Sequence, residues 1–224
     1  MNRLSVNIIL SFMLSLLIWQ TLTYYSILEK LCQEIREQLK LNMKGLHITL
    51  LYESLCPDSR NFMHQLGPVY EEFEDYIDIL LVPFGKSQSE RNGAIFHCQH
   101  GPAECKGNRL QSCVINSTGN QAAQVKFVVC QMLAPDYSRI DQCANEAGLL
   151  TDVVHCLSSE TGTKLQLQAE LVTKQYSPSF IPTIVYNGVF DQQLQDHSLR
   201  DFRGTVCYML RQQNLLPSGS TICQ

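Results

Sequence analysis

The chain has 224 residues, of which 45% are hydrophobic and 17% charged, and its formal net charge is −4 at pH 7. A chain of this length and apolar content can bury a full core, so we expect one main domain without long disordered tails. The slightly acidic balance excludes the basic surface typical of nucleic-acid-binding proteins, and we predict no nucleic-acid partner.

The ten cysteines are the most informative part of the composition. Such a number is unusual in the reducing cytosol and ordinary in oxidising compartments, where disulfides persist. Asn116-Ser117-Thr118 is an acceptor motif for N-glycosylation, which agrees with a secretory route. We therefore predict entry into the secretory pathway and glycosylation at Asn116.

The N-terminus fits the same route. Arg3 precedes an apolar run from Ile8 to Trp19, and a short basic region before an apolar core is typical of a signal peptide. We predict a signal peptide over residues 1–25. The cleavage site near Thr21 is poor, however, and residues 4–25 are long enough to span a bilayer, so a retained anchor is the alternative. Only that anchor would give the protein a membrane partner.

The first part of the main domain has the pattern of a parallel βαβ unit. Residues 26–45 form a charged extension, and the domain covers residues 46–224. Strands are predicted from His47 to Tyr52 and from Ile77 to Phe84, with a helix from Pro57 to Glu74 between them. Gly67-Pro68 should kink or divide that helix.

Residues 85–163 interrupt the alternation of strands and helices. They contain six cysteines and two helix-like runs, from Gln121 to Leu133 and from Ile140 to Ser158. No Gly/Ser/Pro linker marks either side, so we predict a helical, disulfide-rich insertion in one domain.

After the insertion, a helix is predicted from Lys164 to Gln175 and a strand from Thr183 to Tyr186. Asn187-Gly188 is a tight-turn signal, and a closing helix is predicted from Leu194 to Asn214.

Cys56 lies where a reactive cysteine is expected. It follows the first predicted strand and precedes Pro57, which is suited to the first helical position. Free N–H groups and the positive end of the helix dipole favour a thiolate there, and the thiolate is the nucleophile of disulfide exchange. The alternative is that Cys56 is one more structural disulfide partner.

Ile181-Pro182 supplies a second signal. A proline just before a late strand is where thioredoxin-like folds place a cis-proline loop that faces the nucleophile, whereas an ordinary trans proline at a strand start is the alternative. Together with the strand, Cys-Pro and helix upstream, the pattern predicts an α/β thioredoxin-like fold. Ile181 and Pro182 would then form the substrate-binding loop.

A third segment is more specific: Cys98-Gln-His-Gly-Pro-Ala-Glu-Cys105-Lys-Gly-Asn108-Arg-Leu-Gln-Ser-Cys113. It resembles the signature of the gamma-interferon-inducible lysosomal thiol reductase family, and the resemblance extends over residues 46–223. The resemblance implies disulfide-containing protein substrates and a lysosomal or extracellular location. Asn108 has no chemistry that the sequence assigns. The bacterial periplasmic thiol oxidases share a helical insertion, but this signature argues against them.

The active loop departs from the family pattern. The resemblance implies a Cys-x-x-Cys pair, whereas this chain has Cys56-Pro57-Asp58-Ser59. The nucleophile is kept and the resolving thiol is replaced by Ser59, which cannot attack sulfur. Resolution would then fall to the substrate's own thiol or to an external small thiol, with no other cofactor. Ser59 can still donate a hydrogen bond to the thiolate, while Asp58 opposes its charge.

Eight cysteines match family positions and can form four disulfides whose connectivity the sequence leaves open. They are Cys98, Cys105, Cys113, Cys130, Cys143, Cys156, Cys207 and Cys223. Cys32 and Cys56 are left over. Cys32 can be free, make an intermolecular bond, leave with a processed segment or cap Cys56 as a regulatory disulfide.

The signature segment from Cys98 to Cys113 contains His100 and three cysteines, and His97 lies directly before it. This combination of residues also occurs in zinc sites. Structural zinc sites prefer closely spaced cysteine pairs, whereas these cysteines are seven and eight positions apart. We therefore predict disulfides and no metal, with His100 and Glu104 in packing or hydrogen-bonding roles.

Three functions remain. The favoured one is a monothiol reductase or isomerase with Cys56 as nucleophile and Ser59 as its nonresolving partner. The alternatives are a catalytically impaired relative that serves as a binding module and a membrane-anchored interaction protein.

Overall fold

The computed structural model describes residues 13–31, 45–134, 139–149 and 153–224, which belong to two separate units, Met1–Lys44 and Gly45–Gln224. In the first unit, residues 13–31 form helix α1. Across the described ranges, no helix is long and apolar enough to cross a membrane. Residues 1–12 of the predicted signal or anchor segment, and Cys32 with its possible pairings, lie outside the described residues.

The second unit is built on a three-stranded sheet in the order β2-β1-β5. The central strand β1 (Leu46–Tyr52) pairs in parallel with β2 (Ile77–Pro83) and antiparallel with β5 (Thr183–Tyr186). The predicted parallel βαβ unit is confirmed. The central strand is covered on both faces, which is why its sequence is a nearly continuous apolar run.

Helix α2 (Pro57–Phe73) connects β1 to β2 and remains one helix, so Gly67-Pro68 does not divide it. Pro68 costs the helix one backbone hydrogen bond. Burial of an apolar face that includes Phe62 and Phe73 compensates for this loss. Gly67 also lets the later helix that contains Val129 approach closely, since a Cβ at Gly67 would lie 3.3 Å from Val129 Cγ1.

The insertion has more structure than predicted. A small hairpin comes first, formed by β3 (Gln88–Glu90) and β4 (Ile95–His97) with a short 3-10 turn between them. Four helices follow: α3 (Pro102–Ser117), α4 (Gln121–Leu133), α5 (Ile140–Glu146) and α6 (Val153–Ser158).

Two predictions within the insertion were incorrect. Helix α3, which carries most of the signature segment, was missed, although Gly101 with φ 84° and Pro102 at the first helical position mark its start. The single run predicted from Ile140 to Ser158 is two helices. Gly148, with φ 69°, lies just after α5 in a conformation that a continuous helix cannot contain.

The C-terminal part completes the fold with α7 (Glu160–Tyr176), α8 (Gln192–Arg200) and α9 (Phe202–Gln212). The long closing helix that was predicted is therefore divided. Asp201 causes the division, because its backbone leaves the helical region and its Oδ1 caps the next helix by accepting from Gly204 N at 2.8 Å.

Four disulfides join the eight cysteines that match family positions. Three stabilise the insertion: Cys98–Cys105 at the start of α3, Cys113–Cys156 between α3 and α6, and Cys130–Cys143 between α4 and α5. The fourth, Cys207–Cys223, attaches the C-terminal segment to α9.

Candidate active site

Cys56 is the N-cap residue of α2, directly after the loop that leaves β1. Its backbone is extended (φ −64°, ψ 124°), its carbonyl accepts from Arg60 N at 3.0 Å, and Pro57 begins the helix. Within the described part of the chain, Cys56 is the one cysteine outside a disulfide. Its thiol therefore lies at the N-terminus of a 17-residue helix, the positive end of the helix dipole.

The Ile181-Pro182 loop lies against this thiol. The peptide bond between these residues is cis, and Cys56 Sγ lies 3.7 Å from Ile181 O. Cys56 and Ile181 share a small apolar cluster with Leu51, Val82, Phe84 and Ala169. The structure thus brings Cys56 together with the loop that the sequence placed opposite it.

Gln195, a residue that the sequence analysis missed, holds that loop in place. From helix α8, its Nε2 donates to Pro182 O at 2.8 Å and its Oε1 accepts from Ile184 N at 2.8 Å. The side chain is buried, and a buried polar side chain usually has such hydrogen-bond partners; the sequence held no signal that singled out this glutamine.

Ser59 lies one turn into α2 and is fully buried. Its Oγ accepts a hydrogen bond from Glu53 N at 3.3 Å, which leaves the hydroxyl hydrogen available for donation. In the described residues no hydrogen bond joins Ser59 to the Cys56 thiol.

The signature segment contacts the active loop directly, in the part of it that leads from β1 to Cys56. Asn108 Oδ1 accepts from Ser54 N at 2.8 Å, and Glu104 O accepts from Ser54 Oγ at 3.0 Å. Helix α3 thereby supports the residues just before Cys56. This gives Asn108 a structural role that the sequence did not assign.

Glu53, His100 and Glu104 form a cluster beside this loop. Both carboxylate side chains are fully buried, whereas the His100 side chain is 38% exposed. Glu104 Oε1 accepts from His100 N at 3.0 Å, and Glu104 Oε2 lies 2.6 Å from His100 Nδ1. Glu53 Oε1 accepts from Lys86 N at 2.6 Å.

Burial raises the pKa of the Glu53 carboxyl group to about 7, since burial disfavours its charged form. The hydrogen bond from Lys86 N opposes that rise, and the nearby charge of Glu104 adds to it. Glu53 is thus the most strongly perturbed carboxyl group next to the active loop, and perturbed groups concentrate at functional sites.

Apolar side chains lie near the Ile181-Pro182 loop in the chain. Phe180 is 42% exposed immediately before it, and Val189 and Phe190 are exposed beyond β5.

A separate cavity of about 740 Å³ lies between α8 and α9 and is lined by residues that include His197 and Tyr208. Its lining does not include Cys56 or Pro182, so it is not this site.

Asn116 is exposed in the last turn of α3. Glycosylation there stays a prediction.

Comparisons with known proteins agree with this geometry. The family model described as gamma interferon inducible lysosomal thiol reductase matches residues 47–147. A gamma-interferon-inducible lysosomal thiol reductase of Carassius auratus is 31% identical over 80% of this chain and 74% of its own length. A gamma-interferon-inducible lysosomal thiol reductase-like protein of Anopheles gambiae is 32% identical over 78% of this chain and 83% of its own length.

Among solved structures, DsbA of Pseudomonas aeruginosa superposes with a TM-score of 0.50 over 76% of this chain and 84% of its own length. At 13% identity this likeness concerns the fold alone, and it confirms the predicted thioredoxin-like architecture.

Proposed function

The chain belongs to the gamma-interferon-inducible lysosomal thiol reductase family and is a thiol-disulfide oxidoreductase by that membership; we propose that it acts as a monothiol enzyme on disulfide-containing proteins. The observation that carries this proposal is the pairing of Cys56 Sγ with the Ile181-Pro182 loop at the N-terminus of α2. Ser59 occupies the position of the missing resolving thiol.

The proposed reaction begins when the Cys56 thiolate attacks one sulfur of a substrate disulfide. A mixed disulfide forms, and the other substrate sulfur leaves as a thiolate that takes up a proton. An external small thiol then attacks Cys56 Sγ, releases the second substrate thiol and forms a new mixed disulfide. A second molecule of small thiol regenerates the Cys56 thiolate. The sum is one substrate disulfide reduced and one small-molecule disulfide formed.

A shuffling reaction competes with this reduction. If the freed substrate thiolate attacks the mixed disulfide before a small thiol arrives, Cys56 is regenerated without net reduction. The substrate then regains a disulfide, in its old or in a new pairing. The balance between reduction and isomerisation therefore depends on the concentration of the external thiol.

For substrate binding, the backbone of Ile181 lies beside the nucleophile and is placed to pair with an extended peptide segment as an added strand. The exposed ring of Phe180 supplies apolar contact area next to that position. We expect substrates that are unfolded enough to present a disulfide in an extended segment.

For location, the four disulfides are typical of an oxidising compartment. We place the protein in the secretory pathway, with a lysosomal or extracellular destination. The lysosomal destination is supported by its relatives in Carassius auratus and Mus musculus, both of which are named as lysosomal thiol reductases.

A second function is favoured by one observation: Ser59 is buried and its hydroxyl is bonded to Glu53 N. A serine integrated in this way is compatible with a relative that keeps the substrate groove as a binding module and has lost turnover.

The deciding experiment measures reduction of a denatured disulfide protein with excess small thiol, for the native protein and for Cys56→Ser. Turnover that disappears in Cys56→Ser is the expected result. Binding of the disulfide protein without turnover, unchanged in Cys56→Ser, would contradict the enzyme and support the binding module. Equal turnover in both proteins would exclude Cys56 as the nucleophile.

A further inference from the structure

Glu53, His100 and Glu104 come from two segments that are distant in the chain. Glu53 begins the loop after β1, His100 lies in the turn before α3, and Glu104 is in the first turn of that helix. One ligand atom from each, an imidazole nitrogen and two carboxylate oxygens, all lie within 4.8 Å of one another.

The polar groups of this cluster cannot all be satisfied by one another. His100 Nδ1 lies 2.6 Å from Glu104 Oε2 but 3.7 Å from Glu53 Oε2. A single N–H can satisfy only the nearer oxygen, and Glu53 Oε2 is buried without a hydrogen-bond partner. A buried oxygen left in this state is costly and calls for an explanation such as a bound ion.

The backbone around Glu53 is shaped to hold its carboxyl group in this position. Gly85 has φ 58°, and any Cβ at that residue would collide with the Glu53 side chain. Lys86 N fixes the other carboxylate oxygen at 2.6 Å. Glu53 Oε2 is therefore held against the other two side chains and does not simply point into a gap.

We propose that Glu53, His100 and Glu104 bind a divalent cation of the Zn²⁺ class beside the active loop. Zn²⁺ takes imidazole nitrogen and carboxylate oxygen at about 2.0–2.2 Å, so tetrahedral ligands lie about 3.3 Å apart. The His100–Glu104 distance of 2.6 Å must open and the His100–Glu53 distance of 3.7 Å must close, each by less than about 1 Å. Three protein ligands leave the fourth position to water.

The charge balance supports the same assignment. Two buried carboxylates face one imidazole, while the exposed Lys86 contributes its backbone N–H. A dication neutralises both carboxylates and gives the free oxygen of Glu53 a partner. The site differs from the cysteine-based zinc site that the sequence argued against, because Cys98 and Cys105 are joined in a disulfide.

The proposed ion would support the active loop and take no part in the exchange chemistry. Glu53 O accepts from Cys56 N at 3.3 Å, and Ser59 Oγ accepts from Glu53 N, so a ligand at Glu53 stabilises the backbone on which the nucleophile lies. The inference does not depend on turnover, and its test has a binding readout.

The test is calorimetric titration of the untagged full chain, stripped with chelator, with Zn²⁺ alone. We expect one Zn²⁺ per chain, retained in Cys56→Ser and weakened at least about tenfold in Glu104→Gln and in His100→Ala. His97→Ala is the matched control, because it removes an exposed histidine that pairs with Glu90 at 3.1 Å, and it should bind like the native chain.

Because Glu104→Gln alters a buried group and can prevent folding, the partly exposed His100 supplies the second variant, and circular dichroism checks that each variant is folded. Co²⁺ in place of Zn²⁺ should give visible absorption without a thiolate charge-transfer band. Three results would overturn the proposal: no 1:1 binding, binding unchanged in folded His100→Ala, or binding lost in Cys56→Ser together with a thiolate band.

Discussion

Asn108 Oδ1 accepts a hydrogen bond from the backbone N–H of Ser54 at 2.8 Å, and Ser54 lies two residues before Cys56. Both residues are fully buried, although 54 positions separate them in the chain. The contact ties the helix that carries the family signature to the loop that carries Cys56.

Asn108→Ala should therefore destabilise the fold by about 2 kcal/mol, since it leaves a buried N–H unpaired. The variant should also slow the alkylation of Cys56 and the turnover of substrate, because the loop that contains Ser54 and Cys56 loses its support. Asn120→Ala is the matched control: Asn120 Oδ1 accepts from Ala123 N at 3.1 Å as the N-cap of α4, so its side chain supports that helix and not the loop before Cys56. Denaturant unfolding and Cys56 alkylation rates, measured on both variants, separate stability from positioning. Equal alkylation rates in the two variants would contradict a positioning role for Asn108.

Ser59→Cys should restore a resolving thiol. Because an intramolecular thiol acts at an effective concentration of about millimolar or more, turnover at about 0.1 mM external thiol should rise about tenfold or more. Mass analysis of the oxidised variant should find a bond between the new cysteine and Cys56. Ser59→Ala is the control, since it removes the hydroxyl that accepts from Glu53 N without adding a thiol. A similar gain in Ser59→Ala would show that the serine itself inhibits the site.

Glu170 should make the stability of the domain depend on pH in the acidic range. Burial raises its pKa, but hydrogen bonds from Lys174 and Ser89 outweigh that effect, and the pKa lies below the ordinary value of 4.5. A carboxyl group with a lowered folded-state pKa stabilises the fold above its unfolded-state pKa. That contribution is lost as the pH falls below about 4.5 through the folded-state value.

Thermal unfolding at two pH values tests this. Glu170→Gln should lower the Tm at pH 7. The difference in Tm between this variant and the native protein should become smaller at a pH of about 3. Glu160→Gln is the control on the same helix, because its ion pair with Lys164 is exposed and contributes little. If the Tm difference between Glu170→Gln and the native protein stays constant with pH, the effect comes from packing.

Removing the Cys113–Cys156 disulfide should cost more stability than removing Cys98–Cys105. The first closes a loop with a sequence separation of 43 and the second a loop with a separation of 7. Chain-entropy loss in the unfolded state then predicts about 4 and about 2.5 kcal/mol respectively. Paired Cys→Ala variants, compared by denaturant unfolding, test this order. The reverse order would mean that native contacts around the Cys98–Cys105 turn outweigh the effect on the unfolded chain.

Much of the site was predictable from local sequence. The position of Cys56 at a helix N-terminus follows from a β-rich run, Pro57 and an amphipathic segment, and the turn at Asn187-Gly188 follows from residues that tolerate positive φ. The cis bond before Pro182 was expected from its place before a late strand. These features depend on residues that are near one another in the chain, where propensity and spacing are informative.

Other features depend on contacts between distant segments. The sequence predicted that Gly67-Pro68 would kink or divide α2. The helix is not divided, because Gly67 and the apolar face of α2 pack against elements far along the chain. Asp201 ends α8 by capping α9, a choice between one long helix and two that local periodicity does not resolve.

By itself, the sequence determined the family and the thioredoxin-like order of strands and helices, and it predicted Cys56 as the nucleophile with Ser59 in place of a resolving thiol. Each of these is a matter of residue type and spacing. Only the tertiary structure decided how the eight cysteines pair and that Gln195 and Asn108 hold the two loops of the site. It also decided that Glu53 meets His100 and Glu104 in a buried cluster. The physical reason is that hydrogen bonding and burial act through space, between residues whose separation along the chain carries no signal.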